Sequence, residues 1–295
     1  EDGIRDKLVT GVQTCALPIC DVESRVELAF ELTPASSMDA FEIVTRERAV
    51  LAVYFTTEWK TATGFILQAP YVPTPARDNI RQNDPTNSLL ARESAALVVD
   101  SLCWLRERGA LRPGVLNTLP LKRSDFPEDT LLRPLFDRVL EAILGQPLLP
   151  AHTSESNPQV FVQGRSAVAA SSASLRDLLG DGLLVELAGD KSCRWLADGL
   201  PVKGNSVLAK YLREEVGVRE ISAHDFVAWL STKDAAWWKG LDEAWLIRCY
   251  RYLHTQTAEH PALKRLPIVR LERSEEHTSE LQSLAYLVCR LLLEK

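Results

Sequence analysis

The sequence predicts an α+β protein, with strands in the first third of its 295 residues and helices in most of the remainder. From Val22 to Leu32, apolar residues alternate with polar ones, which is the period of a strand with one buried face. From Asn87 to Arg108, apolar residues recur instead at helical spacing. Pro70, Pro73 and Pro75 separate the two patterns, because proline donates no backbone hydrogen bond and interrupts regular pairing.

Three stretches of the first third are expected to form strands. After Val22–Leu32 come two short β-rich runs, Ala49–Phe55 and Gly64–Gln68, and the polar residues 56–63 between them are expected to connect these strands. Residues 69–79, APYVPTPARDN, are expected to form a loop or an irregular edge. The apolar face of the first strand consists of Val26, Leu28, Phe30 and Leu32.

Helix signals begin at Asp84 and Pro85, which suit the N-cap and the first helical position. Gly109 suits the position just after the helix that ends at Arg108. Ser222 and Asp225 have the spacing of a capping pair. Further helices are predicted at Leu131–Leu144, Leu175–Leu179, Ser206–Val216, Ala223–Leu230 and Ala235–Thr255.

These elements suggest two native parts and a boundary between them. Residues 21–150 combine strands with helices, including the long one, and residues 175–272 are expected to form a mostly helical subdomain. The stretch 151–174 is rich in Ser, Ala, Asn and Thr, so it resembles a linker. Val160–Val162 within it predicts a strand.

The two ends of the chain are related at the level of DNA. Val9–Ile19, VTGVQTCALPI, and Arg273–Ser283, RSEEHTSELQS, can be encoded by the two strands of one DNA segment. Both peptides resemble translated sequencing-library adapter. We therefore expect residues 1–20 and 273–295 to be adapter-derived, not native, and to be disordered or artefactual in structure. The alternative is a native inverted repeat, which an independently assembled genomic copy would distinguish from adapter.

The charge balance gives no electrostatic reason to expect nucleic acid as a partner. Leaving out both ends removes five of the 34 basic and seven of the 40 acidic residues, so the net charge changes from −6 to −4. Nucleic-acid binding depends on a basic face. No stretch of residues 21–272 approaches the roughly 20 apolar residues that a membrane helix needs, so we expect no membrane insertion.

The cysteines of residues 21–272 are Cys103, Cys193 and Cys249. They form no CxxC pair and have no zinc-ligand spacing, so no metal is expected. Three lone thiols fit a reducing compartment, and we therefore expect a cytoplasmic protein. Buried structural thiols are the favoured interpretation, and a reactive thiol is the alternative.

The search for a catalytic motif finds none that is complete. Gly189–Ser192, GDKS, is similar to the end of a phosphate-binding loop but lacks the glycine five residues earlier, and neither GxSxG nor HExxH occurs. Trp237, Trp238 and Trp245 are expected to pack in the core, with recognition of exposed apolar partner segments as the alternative. The histidines His152, His224, His254 and His260 are scattered without ligand spacing.

Residues Val53–Ile80, VYFTTEWKTATGFILQAPYVPTPARDNI, resemble a segment of bacterial sacsin-like proteins related to the ninety-kilodalton heat-shock chaperone family. In that family the segment follows the ATP-binding domain. The resemblance continues in LLARESAALVVDSL, LNTLPL, SDFPED and WLIRCYRYLHTQ and covers most of residues 22–272. The chain departs from the family at Ala69, Val72 and Pro73, where glycine, arginine and threonine are usual.

The resemblance implies a post-ATPase, middle-domain-like segment of a chaperone-like ATPase, for coupling or client interaction. ATP and Mg²⁺ are implied for the full-length parent and no cofactor for this chain, which has neither the Asn/Glu helix nor the DxGxG segment of the nucleotide pocket. The implied partners are the upstream ATPase domain and unfolded protein clients. The alternative is a structural or interaction module of a bacterial defence or signalling protein with the same ATPase architecture.

One candidate site residue follows from the resemblance. In related chaperones an arginine of the middle domain reaches the γ-phosphate of ATP, where it stabilises developing charge. Arg77, in the phrase PTPARDN, is the candidate for that catalytic role here. The alternative is a salt bridge from Arg77 to Asp78 or to a neighbouring acid, which would hold the shape of the loop.

Overall fold

The computed structural model describes residues 13–19, 22–34, 41–47, 49–76, 78–153 and 159–256. Over these residues the predicted α+β class is confirmed, with most strands preceding most helices. The strands are β1 (Gln13–Ile19), β2 (Val22–Ala29), β3 (Glu31–Pro34), β4 (Phe41–Val44), β5 (Val50–Val53), β6 (Phe55–Lys60), β7 (Ile66–Gln68), β8 (Leu149–Pro150), β9 (Phe161–Val162), β10 (Ala167–Ala170), β11 (Arg194–Trp195) and β12 (Arg219–Ile221).

The helices account for most of the remaining regular structure. They are α1 (Pro85–Glu107), α2 (Pro113–Leu116), α3 (Arg133–Gly145), α4 (Ala173–Ala188), α5 (Val207–Lys210), α6 (Ala223–Leu230), α7 (Ala235–Lys239) and α8 (Glu243–Gln256). A π-helical turn, Tyr211–Glu215, continues α5. None of the helices in the described ranges is both long and apolar enough to cross a membrane.

The chain divides into two compact units. The first contains residues 1–167 and 196–218, and the second contains residues 168–195 and 219–295. The predicted division at 151–174 assigned residues 196–218 to the second part, whereas the structure groups them with the first. The reason is backbone pairing: Ala151 bridges Leu196, and the Ala197 amide donates to the Pro150 carbonyl at 3.0 Å.

The first unit contains a five-stranded sheet in the order β1-β2-β7-β5-β6. Its pairs are antiparallel except for β7 with β5, which are parallel. The predicted alternation of the first strand is confirmed by the burial of Val26, Leu28 and Phe30, and Phe30 packs edge-on against Phe65 at 5.7 Å between ring centroids. The strand is shorter than predicted. It ends at Ala29, and the next residues form the separate strand β3, which pairs with β4.

One expectation for this sheet is corrected. Residues 56–63 were expected to connect strands, but β6 extends to Lys60. The strand was not predicted from these polar residues because β6 is an exposed edge strand, which needs no apolar face. Its register against β5 shifts where the Thr57 hydroxyl donates to the Leu51 carbonyl at 2.8 Å. Residues 1–20 were expected to be disordered or artefactual, and within them Gln13–Ile19 form β1, which pairs along its length with β2.

The adapter origin of residues 1–20 and 273–295 stays a prediction, because pairing at a sheet edge accepts many extended segments. Residues 273–295 lie outside the described residues.

Helix α1 begins and ends where the sequence predicts. The Asp84 side chain accepts hydrogen bonds from the amides of Thr86 and Asn87, at 2.9 and 3.2 Å, and Pro85 occupies the first turn. Gly109, with a φ of 66°, follows the last turn in the left-handed conformation. The helix packs against β2 and α3, so its buried residues occupy more than one face.

The second unit combines helices with a three-stranded sheet, β11-β10-β12, in which β10 and β12 are parallel. Helix α4 is much longer than the predicted Leu175–Leu179 and contains a kink at Gly180, whose φ is 53°. The single helix predicted over Ala235–Thr255 is wrong. The chain breaks after α7, and Asp242 accepts from the Trp245 amide at 3.1 Å to begin α8.

A matched pair of glycine substitutions tests the packing of the first unit. A Cβ at Gly64 would lie 2.7 Å from the Thr118 Cα, whereas a Cβ at Gly182 in α4 would meet nothing within 4 Å. We expect Gly64→Ala to lower the free energy of unfolding by about 1–3 kcal/mol. Gly182→Ala should raise it by about 0.5–1 kcal/mol, since alanine favours a helix. Thermal unfolding measures both, and shifts of the same sign would contradict this packing.

Candidate functional site

The proline-rich loop, residues 69–84, connects β7 to α1 in the first unit and contains the sequence-predicted candidate Arg77. Its two arms run antiparallel: Pro73 bridges Ile80, the Thr74 amide donates to the Asn79 carbonyl at 2.9 Å, and the Arg81 amide donates to the Val72 carbonyl at 3.2 Å. The loop therefore has a paired base and a four-residue tip, residues 75–78.

Three residues in the base of the loop are buried. Ala69, Tyr71 and Ile80 are each at most 2% exposed. The Tyr71 hydroxyl shares a 2.8 Å hydrogen bond with the Ser94 hydroxyl of α1. Burial raises the pKa of Tyr71 to about 12, although the bond to Ser94 opposes the shift. The phenol is therefore neutral at physiological pH and acts as a structural contact between the loop and α1.

The side chain of Asn87, which is fully buried, clamps both arms of the loop. Its Oδ1 accepts from the Val72 amide at 2.7 Å. Its Nδ2 donates to the Val72 carbonyl at 3.0 Å and to the Arg81 carbonyl at 2.9 Å. An amide can both donate and accept, so this one side chain bonds to three backbone groups on the two arms.

Gln82 adds a further contact from the base of the loop. Its Oε1 accepts from the Leu131 amide at 3.0 Å, just before α3, and its Nε2 donates to the Ile80 carbonyl at 3.2 Å. The base is thereby held to the start of α3 as well as to α1.

The tip of the loop is exposed in the residues described, which are Pro75, Ala76 and Asp78. The Thr74 hydroxyl donates to Asp78 Oδ1 at 2.6 Å and accepts from the Asn79 amide at 3.3 Å, which closes the tip. Arg77 lies outside the described residues, so its predicted phosphate contact and the alternative salt bridge to Asp78 both stay predictions. The described residues on either side of position 77, Ala76 and Asp78, are exposed.

The GDKS phrase at Gly189–Ser192 is a helix end. Gly189, with a φ of 72°, terminates α4 in the left-handed conformation. Asp190 Oδ1 accepts from the Ser192 amide at 2.8 Å and from the Ser192 hydroxyl at 2.7 Å. These bonds, the backbone one first, lower the pKa of Asp190. Phosphate loops place their amides at a helix N-terminus, whereas this turn follows a C-terminus.

Ser222, Asp225 and His152, which the sequence also singled out, lie in contacts with neighbouring side chains or backbone. The predicted pair of Ser222 and Asp225 is confirmed as a reciprocal cap of α6. His152 Nδ1 lies 3.7 Å from a carboxylate oxygen of Asp198. Within the described ranges, no three His, Cys, Asp or Glu side chains are grouped as a metal site would require.

The tryptophans of the second unit pack in its core, as the favoured interpretation predicts. Trp238 and Trp245 are 5% and 8% exposed, and the Trp245 indole donates to the Leu178 carbonyl at 2.8 Å. Trp237 lies edge-on to both, at 5.2 and 6.1 Å between centroids. The alternative of a recognition surface does not hold for the two buried rings.

The three thiols of residues 21–272 are free. Cys193 and Cys249 are buried and Cys103 is half-buried. Burial raises the pKa of Cys249 to about 12, so this thiol is protonated and unreactive at neutral pH.

No protein-family model and no curated protein matches the chain.

Sequence reasoning missed the residues that hold the loop, namely Tyr71, Gln82 and Asn87. A usable signal was present, because asparagine three positions after an Asp-N-cap is a weak helix former that can bond to nearby backbone. Its partners, Val72 and Arg81, could not be identified without the path of the loop.

We predict that Asn87→Ala destabilises the protein by about 2 kcal/mol, because the part-buried Val72 amide and Arg81 carbonyl lose their bonds to this side chain. The expected fall in Tm is about 4–8 °C in thermal unfolding. Ser88→Ala is the matched control on the next residue, since it removes only a local bond to the Asp84 carbonyl and should change stability by less than about 0.5 kcal/mol. Equal stabilities of the two variants would show that the clamp is dispensable.

Proposed function

We propose that this chain is an internal, post-ATPase segment of a sacsin-like ATPase, and that its proline-rich loop couples the ATP-binding domain to the rest of that protein. The observation that carries the proposal is the exposed tip of the loop on a buried, hydrogen-bonded base. The same residues lie at the end of the stretch Val53–Ile80 on which the resemblance to that family rests.

A coupling element must extend beyond its own domain and still hold its position, because catalysis is sensitive to small displacements. The base meets the second requirement through Asn87 and through Tyr71, both buried. The tip meets the first requirement, since Pro75, Ala76 and Asp78 are exposed. Pro75 also restricts the backbone of the tip, which lowers the entropy lost when a partner binds.

Arg77 supplies the chemistry in this proposal. A guanidinium is permanently charged and presents a planar fork of donors that matches phosphate oxygens. Placed against the γ-phosphate, it would stabilise the charge that develops in the transition state of hydrolysis. ATP and Mg²⁺ would be held by the upstream domain, because this chain lacks both the Asn/Glu helix and the DxGxG segment. The chain alone should therefore hydrolyse no ATP.

Contact with apolar clients is the second part of the proposal. Tyr54 and Phe55, at the turn between β5 and β6, are each 76% exposed. Tyr54 has a φ of 61°, which is uncommon for a residue other than glycine and costs conformational energy. Two adjacent exposed aromatic rings offer apolar surface to an unfolded segment.

The decisive experiment substitutes Arg77 in the reconstructed full-length protein. Arg77→Ala should lower kcat about a hundredfold with little change in ATP affinity, if the contact strengthens only in the transition state. Arg77→Lys keeps the charge but loses the fork, so its kcat should also fall. Arg81→Ala and Arg81→Lys are matched controls in the same loop, because Arg81 contacts Asn87 only through its backbone carbonyl, and they should retain the wild-type kcat.

A different pattern would contradict the proposed role of Arg77. If Arg77→Ala lowers Tm while kcat per folded molecule stays at the wild-type value, the arginine is a structural tether of the loop. ATP hydrolysis by the present chain alone would contradict the assignment of the nucleotide pocket to an upstream domain.

A further inference from the structure

A second cluster of polar residues in the first unit lies apart in sequence from the proline-rich loop. Arg123 forms a forked salt bridge with Glu215: its Nε lies 3.1 and 3.0 Å from the two carboxylate oxygens, and one terminal nitrogen lies 2.6 Å from Oε2. Arg123 is about half exposed, with 48% of its side-chain surface accessible, and Glu215 is 19% exposed. The fork is therefore reachable from solvent.

The same π-helical turn that carries Glu215 also carries a buried tyrosine whose ring packs against Phe136, the ring that Arg123 contacts. Tyr211 begins the π-helical turn that Glu215 ends, and it is 2% exposed. Its hydroxyl has no hydrogen-bond partner among the described residues. Burial raises the pKa of Tyr211, and the charge of Glu215 raises it further while that of Arg123 lowers it. The phenol is thus a neutral donor within electrostatic range of both members of the pair.

A second guanidinium group lies close to the cluster. Arg123 is 5.0 Å and Arg133 is 5.7 Å from the centroid of the Phe136 ring. Tyr211 packs edge-on against the same ring at 6.3 Å. Arg133 is held by Asp137 at 2.8 Å and by the Phe126 carbonyl at 3.0 Å. Phe136 is thus the common neighbour of the two guanidinium groups and of the Tyr211 ring.

We propose that Arg123, Tyr211 and Arg133 form a binding site for a phosphate group, which Glu215 occupies as an internal substitute. Both oxygens of the Glu215 carboxylate are engaged by Arg123, and the Tyr211 hydroxyl remains without an acceptor. A tetrahedral phosphate has more oxygens than a carboxylate. It can engage the fork and accept from the hydroxyl at the same time, which removes the cost of a buried unsatisfied donor.

The backbone conformation at Glu215 is compatible with a side chain that an external anion can displace. π-Helical turns are rare and occur frequently at functional sites. Here Tyr211 and Glu215 are the first and last residues of one π-helical turn, and Glu215 contacts Arg123. Movement of the Glu215 side chain alone would free the fork for an external anion. The inference does not depend on the proposed role of the proline-rich loop.

The test is the affinity of the purified chain for inorganic phosphate, measured by calorimetry at constant ionic strength with acetate as the carboxylate comparison. We expect phosphate to bind more tightly than acetate. Glu215→Gln keeps the shape of the side chain but removes its charge, so phosphate affinity should rise about tenfold, or about 1.4 kcal/mol. Glu141→Gln is the matched control, because Glu141 forms an exposed pair with Arg138 on α3.

Tyr211→Phe decides between the proposal and a purely structural cluster. This variant keeps the ring and removes only the unsatisfied hydroxyl, so it should fold at least as stably as the wild type. It should lose about tenfold in phosphate affinity, and the double variant with Glu215→Gln should lose the gain in affinity. The proposal is overturned if neither wild type nor Glu215→Gln binds phosphate, or if Tyr211→Phe binds it as tightly as wild type.

Discussion

The clamp that Asn87 makes on the proline-rich loop is the interaction on which the arrangement of the candidate site depends. The loop contains three prolines, which cannot donate backbone hydrogen bonds, so its arms cannot form a regular ladder. Asn87 satisfies the amide and carbonyl of Val72 and the carbonyl of Arg81 from a fully buried position. The amides of the first turn of α1 are satisfied by Asp84, which leaves the Asn87 side chain available for the loop.

Buried polar side chains of the first unit differ in whether they have hydrogen-bond partners. Asn87 and Tyr71 are buried with complete partners, which favours a single arrangement of the loop base. Tyr211 is as deeply buried as Tyr71, but its hydroxyl has no partner among the described residues. A satisfied group is explained by the fold alone, whereas an unsatisfied group requires a further explanation, such as a ligand that the site accepts.

Local signals in the sequence were sufficient for much of the fold. The cap and proline at Asp84 and Pro85 located the start of α1, and the apolar alternation around Val26 located β2, because these patterns follow directly from helix and strand geometry. The exposed edge strand β6 was missed, since an edge needs no buried face. The break between α7 and α8 was missed because the tryptophans on both sides are buried and continue the apolar pattern.

The candidate site was less accessible to prediction than the fold. The composition of residues 69–79 predicted a loop, but its tethers join residues far apart in sequence, as in the contact of Gln82 with Leu131. The return of residues 196–218 to the first unit, which brings Glu215 to Arg123, has no local signal either. Polar side chains that meet from distant parts of the chain produce no periodic spacing of residue types, and so the sequence pattern does not specify their contacts.

Amide hydrogen exchange, resolved by residue with NMR, tests most directly the claim that a fixed base supports an exposed tip. The Val72 amide donates to Asn87 and the Arg81 amide donates to the Val72 carbonyl, so both should exchange slowly, like amides in the core of α1. The amide of Ala76, in the exposed tip, should exchange many times faster. Exchange of Val72 as fast as that of Ala76 would show that the base opens freely and would contradict this account.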